Sequence, residues 1–134
     1  MRAEMATPWL VRNRIREWLD AWSWPAELVD DVEYAVSEAV SNVAEHAYRG
    51  NPTMGNVVVE AIVETRSDAT RRLRITVRDH GRWKPVTPDP AHRGRGLFMM
   101  RELMDEVVIR CADSAEDEGT EVVLVSPAAP PAPG

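Results

Sequence analysis

Hydrophobic residues in the first 48 positions repeat at helical spacing in two separate segments. In residues 8–22 they recur at intervals of three and four with arginines between them, which predicts an amphipathic helix. The pair Trp24-Pro25 ends this pattern, because a residue before proline disfavours the helical conformation. Proline is well tolerated where a helix begins, and residues 26–48 keep the helical period without proline or glycine. A second, longer helix is therefore predicted there.

Beyond residue 52 the hydrophobic period changes from helix to strand. Residues 56–65 and 71–78 predict two strands, and the polar segment between them is short enough for an antiparallel hairpin. Residues 81–93 contain three prolines and no periodicity, which predicts a long loop. A third helix is predicted over residues 94–104, and two further strands over residues 106–112 and 120–126.

Helices that are separated along the chain from antiparallel strand pairs predict an α+β fold. The expected architecture is a two-layer sandwich, with helices on one face of a mixed, mostly antiparallel sheet and a ligand site between the layers. The pattern leaves little room for a strand before the first helix. We expect one domain over residues 1–126, followed by a tail or linker in the Pro/Ala-rich residues 127–134.

Composition and charge exclude several classes of protein. The formal net charge of −6 disfavours a nucleic-acid-binding function, because neutralising phosphates requires a clustered basic surface. No apolar run approaches the roughly 20 residues that a membrane-spanning helix needs, and the N-terminus lacks the layout of a signal peptide. We therefore expect a cytoplasmic protein that contacts neither membrane nor nucleic acid directly. The single cysteine, Cys111, cannot form an internal disulfide bond.

The second predicted helix carries a polar stripe among small apolar residues. Glu38, Asn42, Glu45 and His46 recur at three- and four-residue spacing, so they share one side of the helix. A carboxylate and an amide on a helix that packs against a sheet are costly unless they are paired or line a pocket. Taken alone, the stripe is more typical of a solvated helix face, because such pairs occur on many surface helices.

Two glycine-containing segments are candidates for contacting a ligand. Asp79 and Gly81 follow the end of a predicted strand, which places a carboxylate next to a conformationally permissive residue. Residues 93–97, with the sequence RGRGL, lead into the third predicted helix, where exposed backbone N–H groups can approach phosphate oxygens. Each segment is also compatible with an ordinary turn. Thr120, which opens the last predicted strand after Gly119, completes the set.

In this order, the four elements resemble the nucleotide-binding boxes of the GHKL ATPase superfamily, whose members share the Bergerat fold. Within that superfamily the chain is similar to the bacterial anti-sigma-factor serine-protein kinases over roughly residues 9–125. The similarity rests on SEAVSN at residues 37–42, HAY at 46–48, GRGLF at 94–98 and LMDEV at 103–107. The superfamily commonly has a second glycine where this chain has Trp83.

The resemblance implies ATP and Mg²⁺ as ligands. It implies that Asn42 binds Mg²⁺, that Glu38 is the general base for an incoming hydroxyl, and that Asp79 accepts a hydrogen bond from the adenine amino group. Thr120 would lie near the same base, and glycines would shape the pocket and its lid. The expected nucleotide-binding residues are Asn42, His46, Asp79, Gly81, Arg93, Gly94, Arg95, Gly96, Leu97 and Thr120.

The family function implied is an ATP-dependent serine kinase that phosphorylates an anti-anti-sigma (STAS-type) partner and sequesters a sigma factor. The first predicted helix, residues 8–22, offers a surface that could contact a second copy of the chain or the sigma factor. Two alternatives stay open at this point. One is the ATPase domain of a histidine kinase, and the other is a nucleotide-binding interaction module without catalysis.

Overall fold

The computed structural model describes residues 1–5, 8–48, 57–79, 90–111 and 120–132. Three helices and five strands are present within these residues. The helices are α1 (Pro8–Ala21), α2 (Ala26–Tyr48) and α3 (Pro90–Leu103). The strands are β1 (Arg2–Met5), β2 (Val57–Thr65), β3 (Arg71–Asp79), β4 (Glu106–Cys111) and β5 (Thr120–Val125).

The two predicted N-terminal helices form and pack against each other. Their buried residues fall at the predicted helical spacing, with Val11, Ile15 and Leu19 on α1 fully enclosed. On the outer side, Arg16 donates hydrogen bonds to Asp30 and Glu33, and these bonds raise the pKa of its guanidinium. These pairs are exposed to solvent, so burial of the apolar stripes stabilises the helix pair far more than the ion pairs do.

A Schellman turn ends α1 at the predicted break. The backbone amide of Trp24 donates to the carbonyl of Leu19 at 3.0 Å, and that of Ser23 donates to Asp20 at 3.0 Å. Ser23 has the left-handed φ of 52° that this turn requires. The side chains of Leu19 and Trp24 are both part of the core, which is the apolar contact that usually accompanies the motif.

The five strands form one sheet in the order β1-β2-β3-β5-β4, and every described strand pair is antiparallel. Alternate residues of the central strands, including Val59, Ile75, Val77 and Leu124, are buried beneath the helices. The opposite face carries ion pairs such as Arg78 with Glu60 and Arg74 with Glu64. The α+β sandwich with helices on one face is thus confirmed.

The β2–β3 hairpin turn contains an alanine in a strained conformation. Asp68 stabilises the turn by accepting hydrogen bonds from the hydroxyl and the backbone amide of Thr70, and these bonds lower the pKa of its carboxyl group. Ala69 has a φ of 70°, a left-handed value that glycine adopts without steric cost.

We expect Ala69→Gly to raise the free energy of unfolding by about 0.5 kcal/mol, because relief of the steric clash exceeds the entropy that glycine adds to the unfolded chain. Ala21→Gly, at the end of α1, is the matched control and should lower stability by a similar amount, because its backbone is right-handed. Urea titrations of the two variants measure both values. A loss of stability in Ala69→Gly would contradict the assignment of strain to this turn.

Two sequence-based expectations are wrong. A strand does precede α1, since β1 pairs with β2 from Arg2↔Glu60 to Met5↔Val57, and the N-terminal ammonium group donates to the carbonyl of Ala61. Four residues suffice because β1 adds to the free edge of an existing sheet and needs no second partner. The third helix begins at Pro90 rather than Gly94, so the last residues of the predicted loop are helical. Proline suits a first helical position, because its ring fixes φ and no hydrogen bond requires its nitrogen there.

The chain after β5 continues along the edge of β3. Ser126 and Leu73 exchange two hydrogen bonds, one of them through the Ser126 hydroxyl, and Ala129 forms a bridge with Arg71. Between these two points β3 has one residue, Arg72, whereas the C-terminal segment has two, Pro127 and Ala128. The extra residue forms a β-bulge. Ala129 is 1% exposed, which means that this part of the predicted tail packs against the core.

Candidate functional site

Two of the predicted site residues lie at the same end of the sheet. Asp79 is the last residue of β3, and Thr120 is the first residue of β5. The two strands are antiparallel neighbours, and their last described pair in this direction is Arg78↔Glu121. The backbone of Asp79 is therefore close to that of Thr120.

The C-terminal half of α2 and the beginning of α3 lie at this end as well. Only eight residues separate the end of α2 from Val57, which pairs with Asp79. The opposite end of α3 is fixed by Asp105, whose amide donates to the carbonyl of Val125 at 2.9 Å, at the far end of β5. The N-terminus of α3 therefore points towards the Asp79 end, and four separate elements converge there.

Glu38 and Asn42 are half-buried at the border of the apolar face of α2. Ala35, Ala39 and Val43 beside them are completely enclosed, whereas neither polar side chain is hydrogen-bonded or ion-paired with another described residue. At 100° per residue, both lie on the flank of α2 opposite Glu33, the residue that contacts α1. α1 contacts β1 and α3 contacts β4, and these strands form opposite edges of the sheet, so α3 lies across α2 from α1 and adjoins this flank.

This arrangement leaves both side chains available to a ligand between α2 and α3. Half-burial removes part of the solvation of a carboxylate and an amide, which is unfavourable unless another polar group replaces the lost water. The two residues are one helical turn apart, about 6 Å along the axis, so both can reach one polyatomic ligand.

The other predicted residues are placed by their backbone. His46 lies in the last turn of α2, and Arg93, Gly94, Arg95 and Gly96 lie in the first half of α3; their side chains are outside the described set, as is all of Gly81. The side chain of Leu97 is half-buried and packs against the core beside Met100.

The early start of α3 changes which amides are available to an anion. The first four N–H groups of a helix, counted from the residue before it, have no partner within it. Inside α3 these are the groups of residues 90–92, whereas a start at Gly94 would have given residues 94–96. Because Pro90 has no N–H group, the donors without a partner inside the helix belong to Ala91 and His92. The sequence pattern did not indicate these two amides as donors, and the signal that could have done so is Pro90, a favoured first helical residue.

Within the described residues, no group of three or more acidic, histidine or cysteine side chains could hold a metal ion by itself. In the described part of the chain, no helix has the length and hydrophobicity to cross a membrane.

A family model and several known proteins match this chain. The family model "Histidine kinase-like ATPase domain" matches residues 1–126. The chain is 32% identical to an anti-sigma F factor of Anoxybacillus flavithermus over 106 residues, which are 71% of this chain and 66% of that protein. It is 31% identical to an anti-sigma F factor of Clostridium acetobutylicum over 73% of this chain and 69% of that protein.

A serine-protein kinase RsbW of Bacillus licheniformis is 34% identical over 98 residues, which cover 61% of this chain. The match spans 57% of that kinase, so the chain aligns with about two thirds or less of the length of these relatives.

Proposed function

Because the chain belongs to the histidine kinase-like ATPase domain family, we propose that it binds Mg²⁺·ATP between α2 and α3 and phosphorylates a serine of an anti-anti-sigma partner. The observation that carries this proposal is the half-buried pair of Glu38 and Asn42, which has no described polar partner although it borders the apolar face of α2. Mg²⁺·ATP would supply the missing polar partners, because it carries both negatively charged phosphates and a metal ion.

The residues present suit Mg²⁺ held jointly with phosphates. This ion keeps several waters and is commonly bound by one or two protein oxygens together with substrate phosphates. The amide oxygen of Asn42 is such a ligand, and the lack of a carboxylate cluster among the described residues fits a metal that arrives with its nucleotide. Bound there, the ion would neutralise phosphate charge.

The helix and strand ends supply the remaining contacts. The free amides at the start of α3, together with Arg93 and Arg95, would bind phosphate oxygens, with Gly94 and Gly96 allowing close approach. Asp79 would accept a hydrogen bond from the adenine amino group, near Thr120 on the neighbouring strand. Gly81, His46 and Leu97 would complete the walls of the nucleotide pocket.

Glu38 would act as the general base. Phosphoryl transfer requires mainly positioning and charge neutralisation, so a carboxylate within reach of the incoming serine hydroxyl has the modest task of accepting its proton. Its position one turn before Asn42 sets it beside the expected metal and not on it. Glu38 would thus orient the hydroxyl and take up its proton, while the amide of Asn42 holds the nucleotide.

The choice of partners rests on the relatives. Their names include anti-sigma F factors and a serine-protein kinase, so we propose that this chain binds a sigma factor when its STAS partner is phosphorylated or absent. The exposed part of α1, including Trp9 at 68% exposure, would serve the sigma factor or a second copy of the chain.

The test is transfer of labelled γ-phosphate from ATP to a STAS-domain protein of the same genome. We expect acid-stable phosphoserine on that protein, in a Mg²⁺-dependent reaction that stops when EDTA is added. Acid-labile label would indicate a histidine acceptor and contradict the serine-kinase proposal. Calorimetry with Mg²⁺·ATP completes the test, because binding without transfer would leave a nucleotide-binding module and no binding would remove the site itself.

A further inference from the structure

Arg71, at the start of β3, is a buried cation at the end of the sheet away from the candidate site. It is 3% exposed, and within the described residues no carboxylate pairs with it. Its guanidinium lies 4.7 Å from the centre of the Trp24 ring, a geometry that favours a cation–π interaction. A buried arginine without an acidic partner needs other groups to compensate for lost hydration.

Backbone carbonyls from two distant parts of the chain provide that compensation. Arg71 donates to the carbonyl of Trp22 at 2.6 Å and, at 3.5 Å, to that of Ser23. Its Nε donates to the carbonyl of Pro130 at 2.8 Å. The first two carbonyls belong to the turn that ends α1, where the helix dipole is negative and favours a cation. One side chain therefore joins the α1–α2 corner to the C-terminal segment.

The C-terminal segment is held by more than this one contact. The amides of Arg71 and Ala129 each donate to the other's carbonyl, at 2.9 and 2.7 Å. The Ser126 hydroxyl accepts from the amide of Leu73 and donates to the carbonyl of Pro127. Ala129 itself is enclosed and belongs to the hydrophobic core.

We propose that residues 126–130 act as a strap that stabilises the corner between α1 and α2. Arg71 links the two, because its side chain hydrogen-bonds to the strap and to the corner. The strap holds the guanidinium in the plane that its three acceptors require, and the guanidinium in turn caps the carbonyls of Trp22 and Ser23. The corner is also where α2 begins, the helix that carries Glu38 and Asn42. Releasing the strap would leave Arg71 with fewer acceptors and loosen the corner.

Hydrogen exchange on truncated chains tests this proposal. A chain that ends at Ser126 loses the Ala129 bridge and the Pro130 acceptor but keeps β5 and the Ser126 hydroxyl. We expect the amides of Trp22, Ser23 and Trp24 to exchange at least ten-fold faster in this chain, although none of them bonds to the removed residues. Removal of residues 132–134 alone is the control and should leave their exchange unchanged, because it keeps both the Ala129 bridge and the Pro130 acceptor.

Substitutions at Arg71 provide a second measurement that keeps the full chain. Arg71→Lys retains the charge, but its three N–H bonds radiate from one nitrogen and cannot reproduce the planar fork that reaches three carbonyls, so the same three amides should lose protection. Arg74→Lys is its control, since Arg74 is an exposed arginine on the same strand that pairs with Glu64. Unchanged exchange at residues 22–24 in both test chains would overturn the strap, as would an equal acceleration of all amides, which would indicate general destabilisation.

Discussion

Replacing Asn42 with alanine is expected to weaken Mg²⁺·ATP binding by about 100-fold, which corresponds to about 2.8 kcal/mol. The amide oxygen is the one protein ligand proposed for the metal, and alanine offers no atom that could replace it. The loss should appear in calorimetric titrations with Mg²⁺ present, and it should be much smaller when ATP is titrated in EDTA, because metal-independent contacts then remain. Equal losses in the two conditions would show that Asn42 contacts the nucleotide without a metal.

The fold should survive this substitution. Asn42 has no described hydrogen-bond partner to leave unsatisfied, and alanine has the higher helix propensity, so thermal stability without ligand should be unchanged or slightly raised. Ser41→Ala is the matched control on the same turn. Ser41 is also half-buried but lies away from the flank that faces α3, so nucleotide affinity should not change. Wild-type affinity in Asn42→Ala would remove the proposed site altogether.

The elements that the sequence predicts correctly are those with strong, uninterrupted periodicity. α2 has its predicted bounds because 23 residues without proline or glycine keep one apolar face, and Arg49-Gly50 follows directly. The β2–β3 hairpin also forms as predicted, because the alternation of Leu73, Ile75 and Val77 requires one buried face. In both cases local pattern and tertiary packing favour the same conformation.

The elements that the sequence misses depend on neighbours distant in the chain. Four residues of β1 carry too little pattern to predict a strand, and what stabilises them is the free edge of β2, more than fifty residues away. The docking of Ala129 depends in the same way on Arg71. Periodicity identifies neither β2 as the partner of β1 nor Arg71 as the partner of Ala129. Alternation of apolar and polar residues indicates which face of a strand is buried, but not which strand pairs with it.

The candidate site shows the same division. The spacing of Glu38 and Asn42 places them on one side of α2, and the structure adds that this side is half-buried and adjoins α3. That Asp79 and Thr120 share one end of the sheet follows only from the strand order, in which β5 inserts between β3 and β4. Periodicity identifies strands but not their order in the sheet. Before the structure was known, only the family resemblance could therefore predict that Asp79 and Thr120 lie close together.

Glu38→Gln is expected to slow phosphoryl transfer by 10²–10⁴-fold, roughly the range attributed to a positioned general base. Glutamine keeps the size and hydrogen-bonding reach of the side chain but cannot take a proton from the serine hydroxyl. Nucleotide affinity should change by less than about three-fold, since Asn42 and the start of α3 are the proposed phosphate and metal contacts. Single-turnover transfer to the STAS partner measures the first effect, and calorimetry measures the second.

Glu27→Gln is the control, because Glu27 is an exposed carboxylate in the first turn of the same helix, and its transfer rate should equal that of the wild type. The two measurements on Glu38→Gln distinguish three cases: a general base, a nucleotide-binding carboxylate, and no catalytic role. Slow transfer with normal affinity fits a base, whereas a matching loss of affinity would mean that the carboxylate acts through nucleotide binding. Normal transfer would mean that the hydroxyl needs no protein base, as a loose, metaphosphate-like transition state permits, and catalysis would then rest on positioning by Asn42 and α3.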